Sequence, residues 1–553
     1  MKGSGPPHAQ RVQDALFVSG CSLAGLQAQL PLCWPTPPGT PPSPKKSYRS
    51  GYAYLGWVEL TDPPSWDQLS GFDVLLRLVD FSGLRPVLAQ LLGWRTGRGQ
   101  QPFDPVSVFL LLGWQIVNRW SRAETLRQLQ QPRHADYARR FGFVEGVYPS
   151  EGALRYFLTA LGAHATGTGE VVMVTQDQRT WAVAGQRLNQ LLAQVVHLVR
   201  AAGVVSAAAW EAALVCPDGQ LHEAASRLRC QAVGTTCYQP TTPDRPRPCP
   251  AREKGLRGCD CATHQCAQLC KRATPRDPEA RFVWYTGRNQ DAGEAGEAHY
   301  GYRSLPLQLA DRERRFSLTL LSDVQPANQH EEIPASALLL QLGDHYPDLR
   351  VDSVAGDAGL GWTVFLRTVY EHLQARRVVD LRGHACDRDE PGWVLRGYDD
   401  QGRPLCEYGY ALRANGFDGQ RRRHKWVCQQ VCLQGGAPRV CLPQVCYPPP
   451  ECPYQAPEQS QGKVVNVGAC FGDGSWRLVR DVVVGSPTWK ALYHRGRNAV
   501  EGRNATLEDW GLKRLPVYGL PRSKALLFLA DVWGNLTTLA RLIREATQAS
   551  AGS

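Results

Sequence analysis

The run Leu349-Arg350-Val351-Asp352-Ser353-Val354-Ala355-Gly356-Asp357-Ala358-Gly359 decides how this chain is read. Residues 349–354 are apolar and β-branched enough to predict a strand, and the Gly-Asp-Ala-Gly that follows ends it. Upstream, Arg315-Phe316-Ser317-Leu318-Thr319-Leu320-Leu321 alternates with period two and predicts another strand, and residues 333–342 predict a helix. Downstream, residues 363–373 predict a helix, and Arg377-Val378-Val379-Asp380-Leu381 predicts a third strand. Strand, helix, strand, helix, strand predicts an α/β fold with a mixed, partly parallel sheet flanked by helices. Ligands gather at the carboxyl ends of the strands in such sheets, and Asp357 lies just past one of them.

Two more carboxylates stand in distinctive settings. Ala212–Cys216 predicts a short strand leading into Pro217-Asp218-Gly219. Glu501 lies within Arg497-Asn498-Ala499-Val500-Glu501-Gly502-Arg503-Asn504. That helix is expected to start at Ser486-Pro487-Thr488, with Ser as N-cap and Pro at the first helical position, and to run to about Asp509, before Gly511. A fold that brings Asp218, Asp357 and Glu501 together makes a site for Mg²⁺ or Mn²⁺, because hard cations take oxygen ligands. Two such ions, roughly 3.5–4 Å apart, suit phosphodiester cleavage by stabilising both the attacking and the leaving oxygen. Plainer readings stand beside this one. Asp-Gly is a strong hairpin-turn signal, and Asp277 in Pro275-Arg276-Asp277-Pro278-Glu279 competes with Asp218. Asp352 competes with Asp357, and Glu501 also suits an i,i+4 pair with Arg497 that contributes only about 0.2–0.5 kcal/mol. Tyr493, Arg497 and Glu501 recur every fourth residue and share one helix face, with Lys490, Arg495 and Arg503 flanking them. Gly502 would let another backbone approach that helix closely.

The order of these elements resembles the DDE transposases of bacterial insertion sequences: Asp-Gly after a strand, Gly-Asp-Ala-Gly after a strand, a β-rich insertion, then a helix with Tyr493, Arg497 and Glu501. The likeness spans about residues 100–545 and is nearest to the members with a β-insertion before the glutamate helix. It implies a ribonuclease H-like core with Asp218, Asp357 and Glu501 as the metal-binding catalytic trio. It further implies binding to the element's terminal inverted repeats in double-stranded DNA, cleavage at the ends, and transfer of the 3′-hydroxyl ends to target DNA by a homodimer or larger assembly. In the family a Tyr-Arg-Glu-Lys signature on the glutamate helix contacts the DNA end, which makes Lys490, Tyr493, Arg495, Arg497 and Arg503 candidate DNA contacts. The chain departs from that signature: three residues separate Tyr493 from Arg497 rather than two, and Glu508 occupies the expected lysine position. A non-catalytic, zinc-stabilised DNA-binding protein (a decayed transposase) and a metal-dependent nuclease of the same fold are the alternatives.

Composition agrees with a polyanionic partner. The chain has 553 residues and a formal net charge of +11, and only ten of its 62 basic residues are lysine. Arginine forks match phosphate geometry. No membrane-spanning helix is expected, since the longest apolar run, 105–117, is too short, and the location expected is the bacterial cytoplasm. Residues 1–50 end in Pro-rich sequence and predict a disordered tail. Residues 51–205 predict a helical N-terminal domain for DNA-end binding, with a capping box at Ser121 and Glu124 and another helix starting near Ser150. Residues 206–383 form the first part of the core, 384–485 a β-rich insertion, and 486–553 the final part, with a last amphipathic helix over Lys524–Ala546.

Two cysteine groups have ligand-like spacing for structural Zn²⁺. Cys249, Cys259, Cys261, Cys266 and Cys270 lie in a Cys-rich insertion over residues 230–275, and Cys428, Cys432, Cys441, Cys446 and Cys452 follow a basic run that ends at Trp426. Related transposases hold a flipped base on an aromatic of this insertion, which makes Trp426 a candidate, although a core tryptophan reads as well.

Overall fold

The computed structural model describes residues 32–34, 48–56, 69–92, 101–176, 179–186, 188–203, 205–225, 229–230, 236–238, 246–248, 273–274, 277–285, 297–311, 316–380, 399, 403–406, 408–418, 420, 423–439, 464–468, 481–482 and 484–551. Among the described residues, six α-helices come first: α1 (Gly71–Leu78), α2 (Leu84–Leu91), α3 (Pro105–Val117), α4 (Arg122–Leu129), α5 (Ala135–Arg140) and α6 (Glu151–Ala165). Their starts follow capping chemistry. Ser70 and Asp73 form a reciprocal capping box on α1, and Asp104 caps α3 ahead of Pro105. At α4 Ser121 Oγ accepts from Glu124 N at 3.1 Å, but the Glu124 carboxylate turns to Gln128 and Arg127 instead of closing the box.

Two expectations for the N-terminal half are corrected. Residues 166–176 and 179–186 are not helical: β1 (Thr166–Gln176) and β2 (Arg179–Gln186) pair antiparallel before α7 (Asn189–Ala201). The β-branched run Val171-Val172-Met173-Val174-Thr175 favours the pleated surface over a helix. Part of the expected disordered tail is also ordered. Leu32 and Cys33 pair in parallel with Val79 and Asp80, and the Trp34 ring is 3% exposed with its Nε1 donating to Gln194 Oε1 at 2.8 Å.

The central sheet is built from β3 (Ala213–Pro217), β4 (Gln220–Glu223), β5 (Arg281–Tyr285), β6 (Glu297–Ala310), β7 (Ser317–Pro326), β8 (Val351–Gly356) and β9 (Arg376–Val379). The long strand β6 pairs antiparallel with β7, β3, β4 and β5, whereas β8 is parallel to both β3 and β9. Helices α8 (Glu332–Leu340) and α9 (Thr363–Arg367) lie between the later strands in the chain. The fold is therefore α/β with a mixed sheet.

Alternation sorts the two faces of the sheet. Ala213, Val215 and Val354 pack with α8 and α9, while Leu214, Cys216, Ala355 and Val378 pack against Trp489, Leu492, Ala499 and Val500. Those last four belong to α10 (Pro487–Asp509), capped by Ser486 as expected, whose Oγ accepts from Trp489 N at 3.2 Å. Gly511, at φ 75°, ends the helix in the left-handed conformation that glycine adopts without strain.

Helix α11 (Leu520–Ala551) starts four residues before the expected Lys524, with Pro521 in the first turn, where a missing N–H costs nothing. Its stretch Leu520–Glu545 is by length and composition apolar enough to cross a membrane, but 78% of its most apolar window is buried inside the protein. The N-terminal helices pack around it: Trp533 stacks between Phe72 and Phe109 at ring-centroid distances of 5.0 and 5.2 Å. Phe72, Phe109, Trp533 and Tyr302 of β6 belong to one continuous core, so the helical region and the sheet share their packing.

In the insertion, β10 (Arg413–Asp418), β11 (Arg423–Val427) and β12 (Val464–Gly468) form an antiparallel sheet in that order. One buried acid ties it to the central sheet. Asp481 accepts from the Arg377 backbone N at 2.7 Å and its Nε at 2.9 Å, and stands 3.8 Å from His424 Nε2 of β11. Burial works to raise the Asp481 pKa, but Arg377 and then His424 hold it well below the usual carboxylate range.

Candidate functional site

Asp218 and Asp357 follow the carboxyl ends of β3 and β8, which are parallel neighbours. Period-two alternation puts Asp218 on the face of Leu214 and Cys216, and Asp357 on the face of Ala355. Both therefore face α10. The hairpin-turn reading of Asp218-Gly219 is overturned by the register. Pro217 pairs with Leu307 and Gln220 with Ser304, so residues 213–223 run as one line along β6. The ladder weakens at Asp218 because Pro306 opposite has no N–H to give, and only Asp218 N to Pro306 O remains, at 3.4 Å.

Helix α10 brings the third carboxylate. It lies close on the sheet at Gly496, where a Cβ would stand 2.6 Å from Ala355 Cβ and 3.3 Å from Cys216 Cβ. Gly502, expected to allow a close approach, has nothing within 4 Å; that role belongs to Gly496. Immediately after Gly496, Arg497 reaches Asp218: Nη1 is 2.7 Å from Oδ2, and Nη2 is 3.6 Å from Glu501 Oε1. The Glu501 side chain is 60% exposed and that of Asp218 only 9%.

A fourth carboxylate joins them, which the sequence reading missed. Glu331 sits just before α8, makes no capping bond with its side chain, and pairs with Arg303 Nη1 at 3.0 Å. A Cβ at Gly219 would fall 2.7 Å from the Glu331 carboxyl carbon, so the glycine beside Asp218 makes room for it. The only sequence signal was a pair of glutamates at a helix start. Burial pushes the Asp218 carboxyl up to about 7; Asp357 and Glu331 add to the rise and Arg497 opposes it. Burial also raises Glu331, with Asp357 contributing against Arg303. Burial disfavours the Arg497 charge, but Asp218, with Asp357 among the lesser contributors, holds its pKa above the usual arginine value.

The site therefore holds more negative charge than Arg497 balances. Among the described residues, Asp357 Oδ1 is buried with no hydrogen-bond partner, and every donor is a hard oxygen, so the residues suit Mg²⁺ or Mn²⁺ chemically. In the present arrangement, among the described residues, no three His, Cys, Asp or Glu side chains stand close enough together to hold an ion. The guanidinium of Arg497 lies between Asp218 and Glu501 instead.

The rival acids are occupied elsewhere. Asp277 accepts from the Tyr302 hydroxyl at 2.6 Å and from Gly519 N at 2.9 Å, and Asp352 pairs with Arg376. Of the expected DNA contacts, Lys490 is exposed and Tyr493 stacks on Trp489 at 4.2 Å. Arg495 donates through Nε to the Asp311 carbonyl at 3.0 Å. Two candidates are corrected. Arg503 is 8% exposed and committed to Asp531, Gln220 and Ser304 at 2.8–3.1 Å, because its stripe of α10 faces α11 and the sheet rather than solvent. Trp426 is 2% exposed in the middle strand of its sheet and has no face open to a base.

In the second cysteine group, Cys432 is buried and Cys428 Sγ accepts from Gln430 N at 3.3 Å. Cys441, Cys446 and Cys452, together with Cys249, Cys259, Cys261, Cys266 and Cys270, lie outside the described residues. No protein-family model matches the chain, and no curated protein matches it.

Proposed function

We propose that this chain is a DDE-type DNA transposase with a ribonuclease H-like core. The observation that carries the reading is the meeting of Asp218 and Asp357, from adjacent parallel strands, under the helix that bears Glu501. An antiparallel set of strands leading into parallel ones, with the acids on the central pair, supports that core. Asp218, Asp357 and Glu501 would hold Mg²⁺ or Mn²⁺, and such ions supply charge stabilisation to the attacking and leaving oxygens of a phosphodiester. The protein's own contribution is orientation. The sheet fixes the two aspartates, Gly496 seats the helix, and exposed Lys490 with Arg497 offers charge to DNA phosphates. The substrate is double-stranded DNA at the element's ends, worked on by a dimer or larger assembly because two ends must be joined. Structural Zn²⁺ on the two cysteine groups belongs to the same reading.

The test is Mg²⁺- or Mn²⁺-dependent cleavage of a duplex carrying an element end, followed by joining of a pre-cut 3′-end into a second duplex. Asp357→Asn and Glu501→Gln should abolish both steps. Cleavage by these variants at the wild-type rate would sink the site assignment, and cleavage without joining would favour the nuclease alternative.

A further inference from the structure

We propose that Arg497 is the resident counter-ion of the carboxylate site, so that a divalent cation and a DNA phosphate bind with positive coupling through it. The inference rests on the catalytic reading above and names a property of the same site.

The guanidinium reaches two of the three carboxylates that a cation needs, Asp218 at 2.7 Å and Glu501 at 3.6 Å. Oxygens turned toward its N–H groups are not free as ligands, and a cation at the same oxygens would be repelled by the guanidinium charge. That charge cannot be shed, because arginine does not lose its proton in proteins. The exchange is therefore positional: Arg497 has to swing away before the acids can close on an ion.

The contact is built for such a swing. Only one end of the guanidinium is held closely, Nη1 at 2.7 Å from Asp218 against Nη2 at 3.6 Å from Glu501. The Arg497 side chain is 22% exposed, on the helix face that also carries exposed Lys490 and Glu501. A phosphate offers the planar fork a bidentate partner as good as the carboxylate it leaves. Drawing Arg497 onto DNA frees Asp218 and Glu501, and filling the acids with a cation frees Arg497 for DNA. Linkage then requires each ligand to tighten the other by the same factor. The consequence is that the nuclease chemistry stays unassembled until DNA is present.

Mn²⁺ affinity of the full chain, measured by electron paramagnetic resonance of free Mn²⁺ at low salt, tests this. The arms are wild type and Arg497→Gln, each with and without a short mixed-sequence duplex. In wild type the duplex should tighten Mn²⁺ binding by about 5–150-fold, the usual span of a coupling between sites. Arg497→Gln should bind Mn²⁺ about tenfold or more tighter than wild type without DNA, and the duplex should then add little. Equal or weaker Mn²⁺ binding by Arg497→Gln overturns the proposal, and so does a wild-type affinity that DNA leaves unchanged. The wild-type arm decides by itself if the variant fails to fold. Asp357→Asn separates the two levels: coupled Mn²⁺ binding that survives this change overturns the catalytic reading along with the inference, whereas Mn²⁺ binding that needs Asp357 but ignores Arg497 overturns the inference alone.

Discussion

Gly496 of α10 and Ala355 of β8 are packed so closely that a Cβ on the glycine would lie 2.6 Å from the alanine Cβ. This contact sets how deep the glutamate helix sits on the sheet, and hence where Arg497 and Glu501 stand relative to Asp218. Replacing Gly496 by Ala improves helix propensity by about 1 kcal/mol, but overpacking a close contact costs about 1–3 kcal/mol. The clash wins, because its neighbours are Cβ atoms anchored on backbone. Gly496→Ala should lower the melting temperature and weaken Mn²⁺ binding. Gly502→Ala, with nothing within 4 Å, is the control. It should stabilise by about 0.5–1 kcal/mol, from propensity alone.

Asp481 anchors the insertion to Arg377, whose side chain is 0% exposed. Asp481→Asn leaves a buried guanidinium without its counter-charge, and breaking a buried pair from one side costs about 3–5 kcal/mol. The loss should appear as a lower denaturant midpoint. The double change Asp481→Leu with Arg377→Met should recover much of it, since no charge is then stranded. Because the folded Asp481 pKa is depressed, its stabilisation is present above the unfolded pKa and is lost only in strong acid.

His222 gives stability a pH dependence nearer neutrality. It is fully buried between the Leu512 carbonyl and the Ser304 hydroxyl, at 2.8 Å from each. Burial first, then Arg503, lowers its pKa from 6.5 to about 3. The unfolded chain therefore binds a proton that the folded chain refuses between those values. Stability is full above 6.5 and falls as pH drops through the window, by about 2 kcal/mol at pH 5. Melting curves from pH 7 to 5 should show the loss, and His222→Gln should flatten that slope while costing about 1 kcal/mol at pH 7 through a lost hydrogen bond.

Trp533 is the hub of the core that the N-terminal helices share with α11. A Cβ at Gly113 would stand 1.9 Å from its ring. Trp533→Ala should cost about 3–5 kcal/mol, as large aromatic deletions do. Gly113→Ala should destabilise as well, because the ring is fixed by Phe72 and Phe109 and cannot step aside. Urea unfolding monitored by circular dichroism measures both.

Sequence periodicity by itself determined the α/β alternation around Asp357, the N-cap and the end of α10, and the presence of β-structure in the insertion. These depend on local backbone preference and side-chain parity, which a sequence carries in full. It also singled out Asp357 and Glu501 as candidates, because strand ends and helix faces are local features. Only the tertiary structure set Asp218 beside Asp357 and Arg497 and tied Asp277 to Tyr302 and Gly519, since such neighbours are delivered by distant parts of the fold. The burial of Arg503 and Trp426, the arrival of Glu331, and the replacement of Gly502 by Gly496 as the close contact are likewise products of packing between segments far apart in the chain. The long last helix makes the same point. Its apolarity suits a membrane or a core equally well, and the packing of Phe72 and Phe109 against Trp533 is part of what makes it a core.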